Sequence, residues 1–235
     1  MKKLSGIKAI FFDIDDTLFP STEFAALARR NAVRAMIEAG MKADSEKALV
    51  KLGAIVKKKG SNYDRHLNDL ADYFGHKNDY KVIAAGIAAY HNTKGSIMPF
   101  PEVPRTLLSL RDRGFLIYAA TKGNALKQWD KLIRLGLHLI FHDVFVSEEL
   151  GVEKSPEFYS KILKRLKLSP SETVMVGDRL DKDIVASKEA GMFAVRVLKG
   201  KYAKEKQGKL VGVRADCEIR DLNELLSILD KPKKK

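Results

Sequence analysis

Apolar and polar positions follow two different periods along this chain, and the change of period divides it. Short apolar runs stand at 7-IKAIFF-12, 115-FLIYAA-120, 142-HDVFVS-147, 172-ETVMVG-177 and 193-FAVRVL-198. Each has the length of a strand, and most are apolar almost throughout, as in strands covered on both faces. Over 102–114, 124–135, 156–167 and 181–190 the apolar spacing changes to three and four, the period of an amphipathic helix. Gly114, Gly136 and Gly191 stand where three of these helices should stop. Strands alternating with helices predict a doubly wound parallel α/β sheet with helices on both faces.

Residues 21–97 read differently. Segments 22–40, 45–59, 63–75 and 79–93 keep the helical spacing, with Leu67, Leu70, Ala71 and Phe74 making one apolar face, and no convincing strand falls among them. The expected organisation is an α/β core formed by 1–20 and 98–230, with a smaller all-helical domain at 21–97. The closing 231-KPKKK-235 reads as a disordered basic tail.

Composition narrows the partners. The net charge of +13 allows nucleic acid or an acidic membrane surface as a target. However, the basic residues are spread along the chain and mixed with acidic ones, and Gln and Cys are scarce, which suits a heat-adapted surface better. No nucleic-acid partner is expected, and no apolar run approaches the roughly 18–20 residues a membrane span needs. The basic and apolar opening runs into Asp13 without a small-residue cleavage site, so it is not read as a signal peptide. With Cys217 alone, no intrachain disulfide is possible, and a cytoplasmic protein is expected, monomer or homodimer.

The chemistry gathers where the strands end. The first strand runs into 13-DIDDT-17, the second into 119-AATKGN-124 and the fourth into 176-VGDRLDKD-183, while 147-SEELGVEKSPEF-158 follows the third. Ligands of open parallel sheets bind outside the carboxyl ends of the strands. Crowded carboxylates repel and hold protons unless a cation sits among them. Asp13, Asp15 and Asp178 offer oxygen ligands of the kind Mg2+ prefers, and Lys154 adds a fixed positive charge. A carboxylate can act as nucleophile, and a second one two residues on can serve as general acid and then base.

These residues carry a resemblance. In order along the chain stand 11-FFDIDDTL-18, Thr121 in 117-IYAATKG-123, Lys154 in 154-KSPEFY-159, and 174-VMVGDRLDKDIVASKEAG-191. Together they resemble the four motifs of the haloacid dehalogenase superfamily, in the phosphatase branch with an α-helical cap inserted between the first and second motifs. The resemblance implies that Asp13 is the nucleophile and a Mg2+ ligand. Asp15 would be the general acid/base and bind the metal through its carbonyl. Thr121 and backbone amides near Asp16 and Lys122 would hold phosphoryl oxygens, with Lys154 neutralising charge. Asp178 would bind metal, and Asp183 would be an outer metal contact or a partner of Lys154. Lys122 departs from the Asn common at that place.

The activity this implies is Mg2+-dependent hydrolysis of a small phosphate monoester through a phospho-aspartate. The substrate would be a small phosphorylated metabolite: a sugar or triose phosphate, phosphoglycolate or a nucleotide. A phosphomutase shares the first step. A haloacid dehalogenase lacks the acid that Asp15 supplies. Outside enzymes, an anion or nucleic-acid binder on the same fold is the remaining reading.

Overall fold

A computed structural model describes residues 3–205 and 212–232, so the end of the basic tail lies outside the described residues. The chain forms two compact units, Met1–Thr22 with Met98–Lys235, and Glu23–Ile97. None of the described helices is long and apolar enough to cross a membrane.

The first unit is built on a six-stranded sheet. Its strands are β1 Ala9–Phe12, β2 Leu116–Thr121, β3 Asp143–Val146, β4 Thr173–Gly177, β5 Phe193–Val197 and β6 Cys217–Ile219. All pairs are parallel and the order is β3-β2-β1-β4-β5-β6. The helices of this unit include α5 Val103–Asp112, α6 Ala125–Arg134, α7 Pro156–Leu166, α8 Ala186–Glu189 and α9 Leu225–Ile228. The chain therefore starts in the middle of the sheet, builds outward through β2 and β3, then returns to the other side of β1. The reversal falls between β1 and β4, whose carboxyl ends flank the crevice where such sheets bind ligands.

Apolar periodicity explains the burial. All four residues of β1 and all five of β4 are buried, as a central strand covered on both faces requires. Ala9 and Phe11 pack with Tyr118, Phe145 and Met175 of the sheet and with Phe158, Tyr159 and Ile162 of α7. The Phe11 and Tyr118 rings stack with centroids 5.1 Å apart.

Two elements depart from the sequence expectation. β6 is three residues long with Glu218 exposed at its centre, too short and polar to read as a strand; pairing with β5 makes it one. The segment expected as a helix over 181–190 begins as a π-helical turn, Leu180–Val185, before α8. Asp181 in that turn pairs with the Arg179 guanidinium through both oxygens.

The second unit is helical. Helix α1 (Ser21–Glu38) runs into it, followed by α2 Ser45–Lys59, α3 His66–Tyr73 and α4 Tyr80–Gly95. Val33, Met36, Leu52, Leu70, Ala71 and Val82 form its core, with Leu67 and Phe74 packed at the edge. Asp44 and Asp79 cap α2 and α4 by accepting from Lys47 and Val82 amides. Gly86 lets α1 and α4 close up, because a Cβ there would lie 2.7 Å from Met36 Cγ.

Candidate active site

Asp13 is the first residue beyond β1, and its amide donates to the Val176 carbonyl of β4 at 2.9 Å. Asp178 follows β4 directly. The switch point of the sheet thus sets these two carboxylates beside each other. Asp183 joins them from the π-helical turn, and carboxylate oxygens of the three lie within 4.8 Å of one another, all on buried residues. Gly177 makes room for this: a Cβ there would overlap the Asp183 carboxylate. The Arg179 amide donates to Asp183 Oδ2 at 3.0 Å. The Ser187 hydroxyl donates to the Asp183 carbonyl.

Lys154 is the cation among them. Its Nζ lies 2.6 Å from Asp13 Oδ1 and 2.5 Å from Asp183 Oδ1, and its side chain is 1% exposed. Ser155 and Pro156 open α7 immediately behind it, Ser155 in the cap position without a side-chain cap bond and Pro156 in the first turn. Tyr159, one turn into α7, is buried beside Lys154 and donates its hydroxyl to the Lys182 carbonyl at 3.0 Å. It thereby ties the helix behind Lys154 to the turn that carries Asp183. Nothing in the sequence marks Tyr159 apart from its place on the apolar face of α7.

One lysine does not balance the carboxylates around it. Burial, with Asp183 and Asp15 nearby, pushes Asp13 up to about 7 although Lys154 pulls the other way. Burial and the neighbouring Asp13, Asp183 and Asp16 push Asp178 up to about 9. Burial opposes the charge on Lys154, but Asp13 and Asp183 outweigh it and hold the ammonium protonated. A divalent cation would relieve this repulsion, and the donor set is entirely oxygen, the type a hard cation such as Mg2+ takes. The residues present therefore fit the metal.

Thr121 closes β2 and is buried. The register pairs Phe12 with Ala119, so Thr121 stands at the same end of the sheet as Asp13. The loop after it is braced closely. The Ser147 amide donates to the Thr121 carbonyl, the Gly123 amide donates to Ser147 Oγ, and Gln128 Nε2 donates to the Lys122 carbonyl. Asn124 caps α6 by accepting from the Lys127 amide. The Lys122 ammonium pairs with Glu153, beside Lys154.

Asp16 is engaged by the residues that open α1. Its carboxylate accepts from Ser21 Oγ at 3.0 Å, from the Thr22 amide at 2.8 Å and from Thr22 Oγ1, and so anchors the first turn of α1. Its amide donates to the Phe19 carbonyl at 3.0 Å. With φ at 55° it turns the chain back after the strand, as Asp tolerates better than most residues. Its amide is thus committed within the loop and its carboxylate to the start of α1.

The Asp15 carboxylate meets a second lysine: Lys131 Nζ of α6 lies 2.7 and 2.6 Å from its two oxygens. Sequence reasoning missed Lys131. It stands on an amphipathic helix among other basic residues, and no local pattern separates it from a solvated lysine.

The parallel sheet thus carries an acid cluster and a buried lysine at its switch point. The model of the haloacid dehalogenase-like hydrolases fits residues 7–191, and the chain belongs to that family of enzymes. It is similar to a glyceraldehyde 3-phosphate phosphatase from Methanopyrus kandleri, 51% identical over 200 residues that cover 83% of this chain and 86% of the relative. A glyceraldehyde 3-phosphate phosphatase from Methanocaldococcus jannaschii is 46% identical over 230 residues, 97% of this chain and 99% of the relative. Among solved structures, a HAD phosphatase from Thermococcus onnurineus matches with a TM-score of 0.63 at 26% identity, covering 94% of this chain and 97% of the other.

Proposed function

We propose that this chain is a Mg2+-dependent phosphatase that hydrolyses a small phosphate monoester through a phospho-aspartate on Asp13. A triose phosphate of the glyceraldehyde 3-phosphate kind is the leading substrate, because the relatives of 51% and 46% identity carry that name. The observation that carries the chemistry is Asp13 at the switch point, 2.6 Å from a buried Lys154, with Asp15 two residues along.

In this reading an Asp13 carboxylate oxygen attacks phosphorus, and the bond from phosphorus to the substrate's ester oxygen breaks. The Asp15 proton goes to that leaving oxygen. Asp15, now ionised, takes a proton from a water whose oxygen attacks phosphorus and breaks the bond to Asp13. Inorganic phosphate leaves, and Asp15 again holds a proton. Lys154 counters charge on Asp13 and on the transferred group, and Thr121 offers its hydroxyl to a phosphoryl oxygen. Asp183, with one oxygen on Lys154 and the other on the Arg179 amide, aims the lysine. Asp13, Asp178 and the Asp15 carbonyl would hold Mg2+, with Asp183 beside them; when bound, the ion supplies further positive charge to the phosphoryl oxygens. Asp16 serves the chain turn rather than the phosphate. Asp15 is also the reason to prefer phosphate chemistry to carbon–halogen cleavage, where a halide leaving group needs no proton. The helical unit inserted after β1 is read as the family's cap.

The test is phosphate release from glyceraldehyde 3-phosphate, phosphoglycolate, a nucleoside monophosphate and an aryl phosphate, with Mg2+ and with chelator, for the native protein and Asp13→Asn. Turnover that needs both Mg2+ and Asp13, with the triose phosphate preferred, is expected. Phosphate release unaffected by Asp13→Asn would overturn the mechanism, and no release from any ester would overturn the activity.

A further inference from the structure

Lys131 lies 116 residues from Asp15 in sequence, yet it is the hydrogen-bond partner of both Asp15 carboxylate oxygens among the described residues. The side chains are 21% and 38% exposed. A pair this open to solvent stabilises a fold little, so stability does not explain the contact. Its geometry does more. Two contacts from one ammonium fix the plane of a carboxylate that a single contact would leave free to rotate. The Lys131 ammonium also lies 5.9 Å from the Phe19 ring, on the loop that follows Asp15. The helix that carries Lys131 begins at the Thr121 loop and is pinned there by the Asn124 cap and by Gln128. One short helix thus joins the hydroxyl at the end of β2 to the carboxylate beyond β1.

We propose that Lys131 is a positioning residue that aims the Asp15 carboxylate for its two proton transfers. This rests on the phosphatase reading above. In the first transfer the Asp15 proton goes to the ester oxygen as the phosphorus–oxygen bond breaks. In the second, the carboxylate takes a proton from the water that attacks phospho-Asp13. An aryl alcohol is a good leaving group and needs the first transfer little, but the second is the same for every substrate. Misaiming Asp15 therefore slows different steps with different esters.

The experiment compares native protein, Lys131→Met and Lys131→Arg by rapid-quench kinetics with an aryl phosphate and with glyceraldehyde 3-phosphate, both with Mg2+. For Lys131→Met we expect kcat to fall at least about tenfold on both, within the range general acid–base groups contribute, and KM to change little. With the aryl phosphate it should show a burst of about one aryl alcohol per site and accumulate phosphoenzyme, neither of which is expected of the native protein. With the alkyl ester it should show no burst. Lys131→Arg, which keeps the cation, should recover most of the rate, and both variants should melt close to the native protein. Native kinetics in Lys131→Met overturns the proposal while leaving the phosphatase reading intact. A slow Lys131→Met with no burst, or an equally slow Lys131→Arg, shows a merely structural role and also overturns it. No Asp13-dependent turnover by the native protein overturns the phosphatase reading and this proposal with it.

Discussion

Replacing Lys154 by Met tests the electrostatics of the site without any substrate. The ammonium is buried between Asp13 at 2.6 Å and Asp183 at 2.5 Å, and Met keeps most of its volume. Removing one partner of a buried ion pair leaves an uncompensated charge and costs about 3–5 kcal/mol. At about 2–4 °C per kcal/mol for a chain of this size, the melting temperature should fall by roughly 6–20 °C at pH 8. The loss should depend on pH. Lys154 is charged in both folded and unfolded states from pH 5 to 8, so the carboxylates set the window. Asp13 is raised from its ordinary 3.8 to about 7 in the folded protein. A raised acid binds more protons folded than unfolded, so stability falls as pH rises from near 4 through 7. Without Lys154 the acids rise further, which carries the fall to higher pH. Thermal melts of native protein and Lys154→Met in metal-free buffer should therefore converge toward pH 5 and diverge toward pH 8. A gap independent of pH, or below about 1 kcal/mol at pH 8, would refute this account of the cluster.

Mg2+ should raise the melting temperature of the native protein more at pH 8 than at pH 6, because protons compete for Asp13 and for Asp178, which is raised to about 9; Asp178→Asn should lose most of that shift in the same melts. Gly177→Ala should cost about 1–3 kcal/mol in urea unfolding, as overpacking does, and also lower kcat, because the new Cβ displaces the carboxylate that aims Lys154. Asp16→Ala should destabilise by about 1–3 kcal/mol through loss of the α1 anchor, while Asp16→Asn keeps substrate KM within about twofold; a large KM effect in Asp16→Asn would restore a phosphate contact for that residue.

The sequence by itself determined most of what depends on neighbours along the chain. Five apolar runs became β1 to β5, because buried parallel strands must be apolar on both faces. Helical spacing placed α1 to α7, and Asn124, Asp44 and Asp79 cap the helices they precede. The order of Asp13, Thr121, Lys154 and Asp178 was legible for the same reason: three sit at strand ends that announce themselves locally, and Lys154 stands just before the helix that Ser155 and Pro156 open.

What the tertiary structure decided was which of these groups meet. The return of the chain from β3 to β4 sets Asp178 beside Asp13, and no periodicity encodes that strand order. Asp16 and Asp15 are adjacent acids in one short motif, yet one anchors a helix and the other meets a lysine far along the chain. Lys131, Tyr159 and the edge strand β6 carried no local signal, since each owes its place to a partner across the fold. Periodicity reports which face of an element is buried; the partner on that face is settled by the sheet order and the packing of the helices against it.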